Sequence, residues 1–456
     1  MTETLTLDNA KDLLQNDTKI KVAAVDIDGL LRGKIIHKDK FLQVIEDGFG
    51  FCSVIFGWDI QDNTYTTSIE FAGKDCQYFD LIAKIDLASY RRIPWEDNIP
   101  FFLVHLYHPT TNKPLYCCPR SLLTGVVDDF KQMGIVPYCG VEFEFFCFQE
   151  TAKSLADKEY SQPKPLTVGM CGYSLLRPLQ NQAFYYNSFD WLKQFKVDVE
   201  SWHTETGPGV FEAAILYQEA KEAGDRAALF KTSMKQIGLK HGVMTSFMAK
   251  PYGDQPGCSG HMHFSLKNSK GDNVFAVGEP SDVPGLTQHG VWFLAGVLRG
   301  LPSILAILAP TVNSYKRLVE NYWAPVSVSW GMDSRHSAVR VIASGNSTRM
   351  EMRVSGADIN PHLALAAILK CGYWGIKTKQ ELPSGPSSTA EDVSKQERLA
   401  RTLQEAANAM DQEGSVARQV LGDEFVNHYV STRRHEWHLW QNAVTDWELK
   451  RYMELV

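Results

Sequence analysis

The stretch Val141-Glu-Phe-Glu-Phe145 alternates apolar and acidic residues. In an extended strand, successive side chains point to opposite faces, so Glu142 and Glu144 share one face while the apolar residues anchor the other. The two carboxylates would then lie about 7 Å apart along the strand. Such a pair fits a solvent-facing strand as well as a metal site, and the rest of the chain decides between the two.

The composition indicates a soluble globular protein with two domains. The chain has 456 residues, of which 44% are apolar and 22% charged, and it exceeds the size at which one hydrophobic core usually stops growing. Its formal net charge is -7 and it contains no basic run. This balance argues against nucleic acid or an acidic membrane surface as a partner.

Nine cysteines without CxxC spacing favour reduced thiols in a cytoplasmic chain. The N-terminus is polar and acid-bearing and lacks the apolar region of a secretory signal. The longest apolar stretch, residues 291–310, is interrupted by Arg299 and Pro302. We therefore expect a buried helix followed by a break, and not a membrane span.

The pattern of elements changes near Pro119. Before it, short β-type runs at residues 21–27, 33–37, 81–85 and 101–105 alternate with turns and two brief helical patterns, which predicts a small sheet-based domain. After it, strands that carry polar clusters alternate with helical patterns at residues 121–133, 218–241, 287–300, 361–378, 396–411 and 433–455. Gly242 stands where the helix over residues 218–241 is expected to end. Residues 379–395 are predicted to form an exposed loop. The predicted class is α+β.

A second cluster runs from His203 to Glu212, with the sequence His-Thr-Glu-Thr-Gly-Pro-Gly-Val-Phe-Glu. Its two acids stand seven residues apart around a Gly-Pro-Gly turn. Such a turn lets two segments double back and aim Glu205 and Glu212 at one point. A hairpin with exposed acids would show the same pattern.

A third cluster, Gly257-Cys-Ser-Gly-His-Met-His-Phe-Ser265, places His261 and His263 at strand spacing on one face. The small residues before them leave backbone N–H groups free to approach a ligand closely. A buried, hydrogen-bonded histidine pair is the structural alternative.

Five arginines fall within residues 317–353: Arg317, Arg335, Arg340, Arg349 and Arg353. The last two flank Glu351, and all three of these polar groups share a strand face because methionines alternate with them. A surface salt-bridge ladder would explain this trio. Beside the HxH motif, the arginines fit better as ligands of phosphates and a carboxylate, groups that match the rigid fork of arginine.

The order of these motifs resembles the glutamine synthetase family, in its class I-like branch. The matching motifs cover essentially the whole chain: ExE, the Glu205–Glu212 hairpin, GCSGHxHxS, NSYKR, RxxxxR, RxExR and Gly356-Ala-Asp-Ile-Asn-Pro-His362. The resemblance implies a small β-grasp-like N-terminal domain, residues 1–112. It also implies a large catalytic domain, residues 113–456, with an antiparallel sheet flanked by helices.

The resemblance also implies two divalent cations. One, nearer the substrate carboxylate, would be held by Glu144, Glu205 and Glu212. The other, on the ATP phosphates, would be held by Glu142, His261 and Glu351. A three-carboxylate site suits Mg²⁺, and a mixed Glu/His site also tolerates Mn²⁺.

The remaining site residues follow from the same resemblance. His263 and Ser265 would face the nucleotide, with Arg340 and Arg349 on its phosphates. The amino-acid substrate would be held by Gly257, Arg317, Arg335 and Arg353, with Trp323 in the flap above it. Arg335 and Arg340 are the expected catalytic residues, Arg335 because it would also stabilise the transferring phosphoryl group.

The implied reaction is an ATP-dependent ligation. The γ-carboxylate of glutamate attacks the terminal phosphate of ATP and becomes an acyl phosphate, and ammonia or a primary amine then displaces phosphate to give an amide. Water must be excluded, because it would hydrolyse the intermediate. The family further implies a ring-shaped homo-oligomer of ten or twelve chains.

The chain departs from the family pattern at the amine. Family members that make glutamine carry Tyr-Glu-Ala-Pro in the flap, where this chain reads Asn321-Tyr-Trp-Ala-Pro325. Trp323 cannot accept a proton from ammonium, but an indole can stack on a larger amine. No acid stands in register within residues 49–53, so Asp59 or Asp62 is expected to substitute. Gln380 replaces the tyrosine that is adenylylated in some bacterial relatives.

Two other classes of function fit part of the pattern. The first is a catalytically silent member of the family with a structural or regulatory role, although all six expected metal ligands are present. The second is a metal-dependent hydrolase, which would use the histidines and acids but leaves the arginines unexplained.

Overall fold

The N-terminal domain is built on one mixed sheet. The computed structural model describes residues 5–67, 69–72, 76–320 and 323–456. The strands of this first sheet are β1 (Lys19–Val25), β2 (Leu31–His37), β3 (Phe49–Cys52), β4 (Asp80–Ile85), β5 (Arg91–Ile93) and β6 (Ile99–Tyr107). Their order is β2-β1-β6-β4-β3 with β5 on β6, and β1 and β6 pair in parallel at the centre. The four predicted strands are confirmed.

Two short helices accompany this sheet, α1 (Ala10–Leu13) and α2 (Lys38–Val44). The ring of Phe41 on α2 lies 4.7 Å from the ring of Phe102 on β6, and both side chains are fully buried. One helix packed across a small mixed sheet is the β-grasp-like arrangement that the family resemblance predicted.

The catalytic domain contains a second, larger sheet. Its strands are β7 (Ile135–Phe148), β8 (Val199–Thr204), β9 (Val210–Glu219), β10 (Met244–Ser246), β11 (Gly260–Asn268), β12 (Trp330–Met332), β13 (Val339–Ile342) and β14 (Arg349–Met352). The order is β12-β13-β14-β11-β7-β9-β8, with β10 on β7, and every pair except β12 with β13 is antiparallel. The α+β class is confirmed.

The helices of the catalytic domain either pack against the apolar face of this sheet or lie elsewhere in the domain. They are α3 (Pro119–Gln132), α4 (Ala152–Asp157), α5 (Leu176–Leu179), α6 (Gln182–Gln194), α7 (Ala220–Lys240), α8 (Gln288–Leu308), α9 (Ser314–Arg317), α10 (Pro361–Thr378), α11 (Ala390–Ser394), α12 (Leu403–Asp411), α13 (Val416–Leu421), α14 (Asp423–Asn442) and α15 (Asp446–Tyr452). Phe143 of β7 is fully buried, and its ring stacks 6.1 Å from the ring of Phe230 on α7. The predicted alternation in β7 is therefore real, with its acids on the opposite face.

Helix α8 corrects one prediction. Within the described residues it is long and apolar enough to cross a membrane, but 78% of its most apolar window is buried inside the protein. The helix was expected to break near Pro302, yet it continues to Leu308. Leu301, Ile304 and Leu305 are fully buried. Their burial outweighs the cost of a proline inside a helix, about 3 kcal/mol.

The C-terminal helices also differ from the prediction. The helix expected over residues 396–411 begins only at Leu403, after the N-cap Thr402. The helix expected over residues 433–455 is in fact α14, which begins ten residues earlier, and α15. Thr445 and Glu448 form a capping box that restarts the chain as α15. The loop at residues 379–395 is mostly exposed, as predicted, but contains α11.

The two domains meet through buried polar contacts. Arg120 at the start of α3 donates to Asp86 at 2.9 Å and to Asp225 of α7 at 2.6 Å. Asn360 donates to the carbonyl oxygens of Asp26 and Ile27 at 3.0 and 3.2 Å. The boundary between residues 112 and 113, in the loop between β6 and α3, stays a prediction.

Candidate active site

Four neighbouring strands carry the polar motifs onto one face of the catalytic sheet. Strand β11 pairs with β7 on one side and with β14 on the other, and β9 pairs with the far edge of β7. The register sets three pairs of residues opposite each other: Glu142 and His261, His263 and Glu351, Glu144 and Glu212. The two-residue spacing of each motif therefore produces one continuous row of acids and imidazoles.

The first cluster consists of Glu142, His263 and Glu351, which each place a ligand atom within 4.8 Å of the other two. Nε2 of His263 lies 3.1 Å from Oε1 of Glu142. Nδ1 of His261 lies 3.6 Å from Glu351 and 3.8 Å from Glu142. Burial alone would raise the pKa of Glu142, but hydrogen bonds with the two imidazoles outweigh it and hold this pKa well below its usual range.

Glu351 is buried between two guanidinium groups. Nη1 of Arg353 donates to its Oε1 at 2.5 Å, and Nη1 of Arg340 donates to its Oε2 at 3.1 Å. Burial would raise the pKa of Glu351, but the charges of His261 and Arg353 outweigh it and lower this pKa, so the carboxylate stays ionised. Glu351 and Arg353 of the predicted trio thus belong to an internal ion network with Arg340 and not to a surface ladder. Arg349, the third member of the trio, donates to the carbonyl oxygen of Ser347 at 3.3 Å.

The second cluster consists of His203, Glu205 and Glu212. Nε2 of His203 lies 3.7 Å from Glu212, and its Nδ1 lies 3.8 Å from Glu205. The nearby carboxylate of Glu212 raises the pKa of His203 to about 9. The hairpin that joins β8 to β9 brings the two acids together, as expected. His203 was missed, although its spacing of two residues before Glu205 was a usable signal.

Glu144 lies on β7 opposite Glu212 of the second cluster. Its carboxylate accepts a hydrogen bond from the backbone N–H of Ser259 at 2.7 Å. Burial raises its pKa, and the nearby Glu212 adds to this effect. The assignment of Glu144 to one ion with Glu205 and Glu212 stays a prediction, and His203 is a further candidate donor in that group. A bound metal ion would supply the positive charge that stabilises the ionised form of this buried carboxylate.

Gly257 and Arg317 are packed against each other beside the loop that leads into β11. A methyl group on Gly257 would lie 2.4 Å from the carbonyl oxygen of Ala249 and 2.9 Å from Cγ of Arg317, so only glycine fits. The guanidinium of Arg317 is buried and donates to the carbonyl oxygens of Val354 and Arg353 at 2.8 and 3.2 Å. Burial lowers the pKa of Arg317 from its ordinary value.

A cavity of about 490 Å³ opens beside the first cluster. Its lining includes four residues predicted for the nucleotide side: Glu142, His263, Ser265 and Arg349. Tyr138, Tyr217 and Lys267 line it as well and were missed by the sequence reasoning, because no motif marks them. The Lys267 ammonium lies 4.1 Å from the ring centroid of Tyr138. The cavity therefore joins a charged end to an aromatic end, which is what a nucleoside triphosphate requires.

Arg335 and Trp323 are exposed, unlike the other predicted site residues. The Trp323 side chain is 67% exposed, and its ring lies 6.4 Å from the ring of His336. Trp323 has a φ of 57°, a left-handed conformation that is strained for a bulky residue. Asn321 and Tyr322 of the same flap lie outside the described residues.

The expected ammonium-site acids have partners of their own. Asp59 accepts from the backbone N–H groups of Gln61 and Asn63 at 2.8 and 3.0 Å and lies 3.2 Å from Nε2 of His435. Asp62 is half-exposed and accepts from Arg32 at 2.7 Å. Neither carboxylate belongs to the two clusters described above.

The chemistry of the donor set fits divalent cations. Each cluster combines carboxylates with one imidazole at distances that a single ion can bridge, which suits Mg²⁺ or Mn²⁺. Buried arginines flank the first cluster, and a nucleotide-sized cavity adjoins it. Together these features fit the class of enzymes that transfer a phosphoryl group with the help of metal ions.

Comparison with known proteins identifies the family. The model of the glutamine synthetase catalytic domain matches residues 116–452. A protein of Dictyostelium discoideum named type-1 glutamine synthetase 2 is 45% identical, over 98% of this chain and 87% of its own length. A glutamate–isopropylamine ligase of a Pseudomonas species is 34% identical, over 97% of this chain and 96% of its own length. The chain belongs to the glutamine synthetase family.

A solved structure shows the same fold. The structure described as a GmaS/ADP complex superposes with a TM-score of 0.83 at 23% sequence identity, and the match covers 99% of this chain and 100% of that chain. The α+β architecture with its small N-terminal sheet is therefore that of the family.

Proposed function

We propose that this protein is an ATP-dependent ligase that joins the γ-carboxylate of glutamate to a primary amine larger than ammonia. The observation that carries the proposal is the row of two acid–imidazole clusters with arginines on its flank, beside a cavity of about 490 Å³. Relatives named for glutamine synthesis and for ligation of isopropylamine support the same reaction type.

Two divalent cations, Mg²⁺ or Mn²⁺, belong to the proposal. Glu142, His261 and Glu351 would hold the ion on the phosphates, with His263 beside it. Glu144, Glu205 and Glu212 would hold the other, with His203 as a further donor. Bound there, the ions would neutralise negative charge on the transferring phosphoryl group.

The arginines position the two reactants in this mechanism. Arg340 and Arg349 hold the phosphates of ATP, while Arg317 and Arg353 hold the amino acid so that its γ-carboxylate faces the terminal phosphorus. A carboxylate oxygen attacks that phosphorus, the bond to the bridging oxygen of ADP breaks, and an acyl phosphate forms. Arg335, whose side chain is exposed, stabilises the charge on the group in transfer.

The second step makes the amide. The neutral amine attacks the acyl carbon, phosphate leaves with the former carboxylate oxygen, and the amine nitrogen loses a proton. The flap and the bound substrates keep water from the acyl phosphate.

Trp323 supports the choice of a larger amine. An indole offers no base for ammonium, but its face attracts an alkylammonium group. The ring of His336, 6.4 Å away, offers a second aromatic surface to the same amine. The acceptor proposed here is therefore an amine with an apolar or aromatic body.

We also propose, from the family alone, that the protein acts in the cytoplasm as a ring of ten or twelve copies. The 113–456 segment would carry the catalytic sheet in each copy. Light scattering of the purified protein measures the size of the assembly, and a monomer would contradict the ring.

The test of the proposed function is phosphate release from ATP with Mg²⁺, glutamate and a panel of amines. The panel contains ammonium, methylamine, isopropylamine, putrescine and aromatic amines. We expect a larger amine to show a KM well below that of ammonium. Ammonium working at low KM while no larger amine does so would overturn the proposed acceptor. Trp323→Glu should improve the use of ammonium, whereas Trp447→Glu, at a comparably exposed tryptophan of α15, should not.

A further inference from the structure

The motif Gly356-Ala-Asp-Ile-Asn-Pro-His362 lies where the two domains and the active site meet. It connects β14, which carries Glu351, to the start of α10. The N–H of Gly356 donates to the carbonyl oxygen of Leu308 at the end of α8, and the N–H of Ala357 donates to that of Cys258, each at 3.1 Å. The motif thus touches both the segment that leads to Arg317 and the loop that precedes the imidazoles.

Asp358 anchors the segment that carries Arg317. Its Oδ2 accepts from Oγ of Ser314 at 2.6 Å and from Oγ1 of Thr311 at 2.9 Å. Ser314 begins the one-turn helix α9, which ends at Arg317. Because the Arg317 guanidinium binds the carbonyl oxygens of Arg353 and Val354, the carboxylate of Asp358 fixes α9 against the strand that holds Glu351.

Asn360, two residues after Asp358, both caps α10 and contacts the N-terminal domain. Its Oδ1 accepts from the backbone N–H groups of His362 and Leu363 and so caps α10. Its Nδ2 donates to the carbonyl oxygens of Asp26 and Ile27 at 3.0 and 3.2 Å. The side chain is 4% exposed, so the loop at residues 26–29 sits directly on it.

A second tether joins the same loop to the other end of the segment. Asp28 pairs with the buried guanidinium of Arg433, and Nη1 of Arg433 donates to the carbonyl oxygen of Pro310 at 2.7 Å. The loop at residues 26–29 therefore reaches residues 310–317 by two routes, through Arg433 and through the Asp358–Asn360 motif.

We infer that Asp358 and Asn360 are positioning residues that couple the docking of the N-terminal domain to the placement of Arg317. The inference rests on the proposed function in one respect, the role of Arg317 in holding glutamate. Displacement of a positioning group by 1 Å can cost on the order of 100-fold in rate. Loss of either tether should weaken glutamate binding and leave ATP binding alone, because the nucleotide cavity is lined by other residues.

The test compares four variants by the KM of glutamate and the KM of ATP. Asp358→Ala and Ser314→Ala remove the anchor of α9, and Asn360→Ala removes the cap of α10 together with the contact to Asp26. The matched control is Thr287→Ala, which removes the cap of α8 at an equally buried site. We expect Asp358→Ala and Asn360→Ala to raise the KM of glutamate about tenfold and that of ATP less than twofold. Ser314→Ala should raise the KM of glutamate severalfold, and the control should change neither.

The outcomes separate this inference from the proposed function. Equal changes in both KM values, or an unchanged KM of glutamate in Asp358→Ala and Ser314→Ala, would overturn the inference. Ser314→Ala loses only one hydroxyl and covers the case in which Asp358→Ala does not fold. Glutamate affinity is also read without turnover, from the rise of the unfolding midpoint with added glutamate. Wild-type protein that binds ATP but shows no such rise refutes the proposed function itself.

A double-mutant cycle tests the coupling between the domains. Asn360→Ala removes the first tether, to Asp26 and Ile27, and Asp28→Asn weakens the second, to Arg433. If the two tethers position the same segment, the rise in the KM of glutamate in the double variant will differ from the product of the rises in the two single variants. Independent effects would show that Asn360 acts only as a helix cap and would overturn the coupling.

Discussion

The variant Glu351→Gln tests whether the buried ion network serves both stability and metal binding. Glutamine keeps the shape of the side chain and one oxygen acceptor but removes the charge. Arg353, which is 4% exposed and donates to Glu351 at 2.5 Å, then lacks its counter-charge. Arg340 keeps Asp333 as a partner at 2.8 Å. The variant therefore leaves one buried guanidinium unpaired.

The expected loss of stability follows from that geometry. Removal of one partner of a buried ion pair typically costs 3–5 kcal/mol, and the retained acceptor places this variant near the lower end, about 3 kcal/mol. The pKa of Glu351 is lowered in the folded protein, so its stabilisation is present at neutral pH and is lost as the pH falls through the folded pKa. The difference in the free energy of unfolding between wild type and variant should accordingly become smaller at acidic pH.

Two assays check this prediction. Urea denaturation at neutral pH gives the change in the free energy of unfolding, and the Mg²⁺ dependence of phosphate release gives the change in metal affinity. We expect at least a tenfold higher Mg²⁺ requirement, because even outer partners of a metal site change affinity by about 10–100-fold. The control Asp333→Asn removes the exposed partner of Arg340 and should cost less than about 1 kcal/mol. Equal losses in the two variants, or an unchanged Mg²⁺ requirement in Glu351→Gln, would refute the reasoning.

Three further predictions concern other parts of the chain. Gly257→Ala should abolish or severely reduce glutamate use, since its methyl group would meet a carbonyl oxygen at 2.4 Å; normal kinetics would contradict the close packing. His203→Gln should raise the Mg²⁺ requirement of phosphate release severalfold, and an unchanged requirement would exclude His203 as a metal donor. Burial raises the pKa of Asp26 from 3.8 to about 7 in the folded protein. The protonated side chain therefore stabilises the fold at low pH, and this contribution is lost as the pH rises through the folded pKa of about 7. Asp26→Asn should remove this pH dependence from urea denaturation curves, and an identical pH profile would contradict the assignment.

The strands of the site could be predicted because their signal is local. In β7, β11 and β14 the polar residues alternate with buried apolar ones, and a period of two fixes which side chains share a face. Glu142, His263 and Glu351 converge for that reason. The register between these strands was not readable from the sequence, because it depends on pairing between segments about 90–120 residues apart.

Other features depend on packing that no short motif records. Pro302 should end a helix by its local chemistry, yet burial on both sides of it keeps α8 intact to Leu308. The carboxylate of Glu144 accepts a hydrogen bond from the N–H of Ser259, a contact that no motif marks. Tyr138 and Tyr217 line the cavity only because β7 and β9 are neighbours. Tertiary pairing decides each of these cases.

The path of one oxygen atom tests the central claim most directly. Glutamate labelled with oxygen-18 in its γ-carboxylate is incubated with the protein, ATP, Mg²⁺ and the preferred amine, and the released phosphate is examined by mass spectrometry. The account predicts one labelled oxygen in each phosphate formed, because the carboxylate oxygen attacks phosphorus and leaves with it when the amine attacks carbon. Phosphate without label would show that water attacks ATP directly, and would contradict ligation through an acyl phosphate.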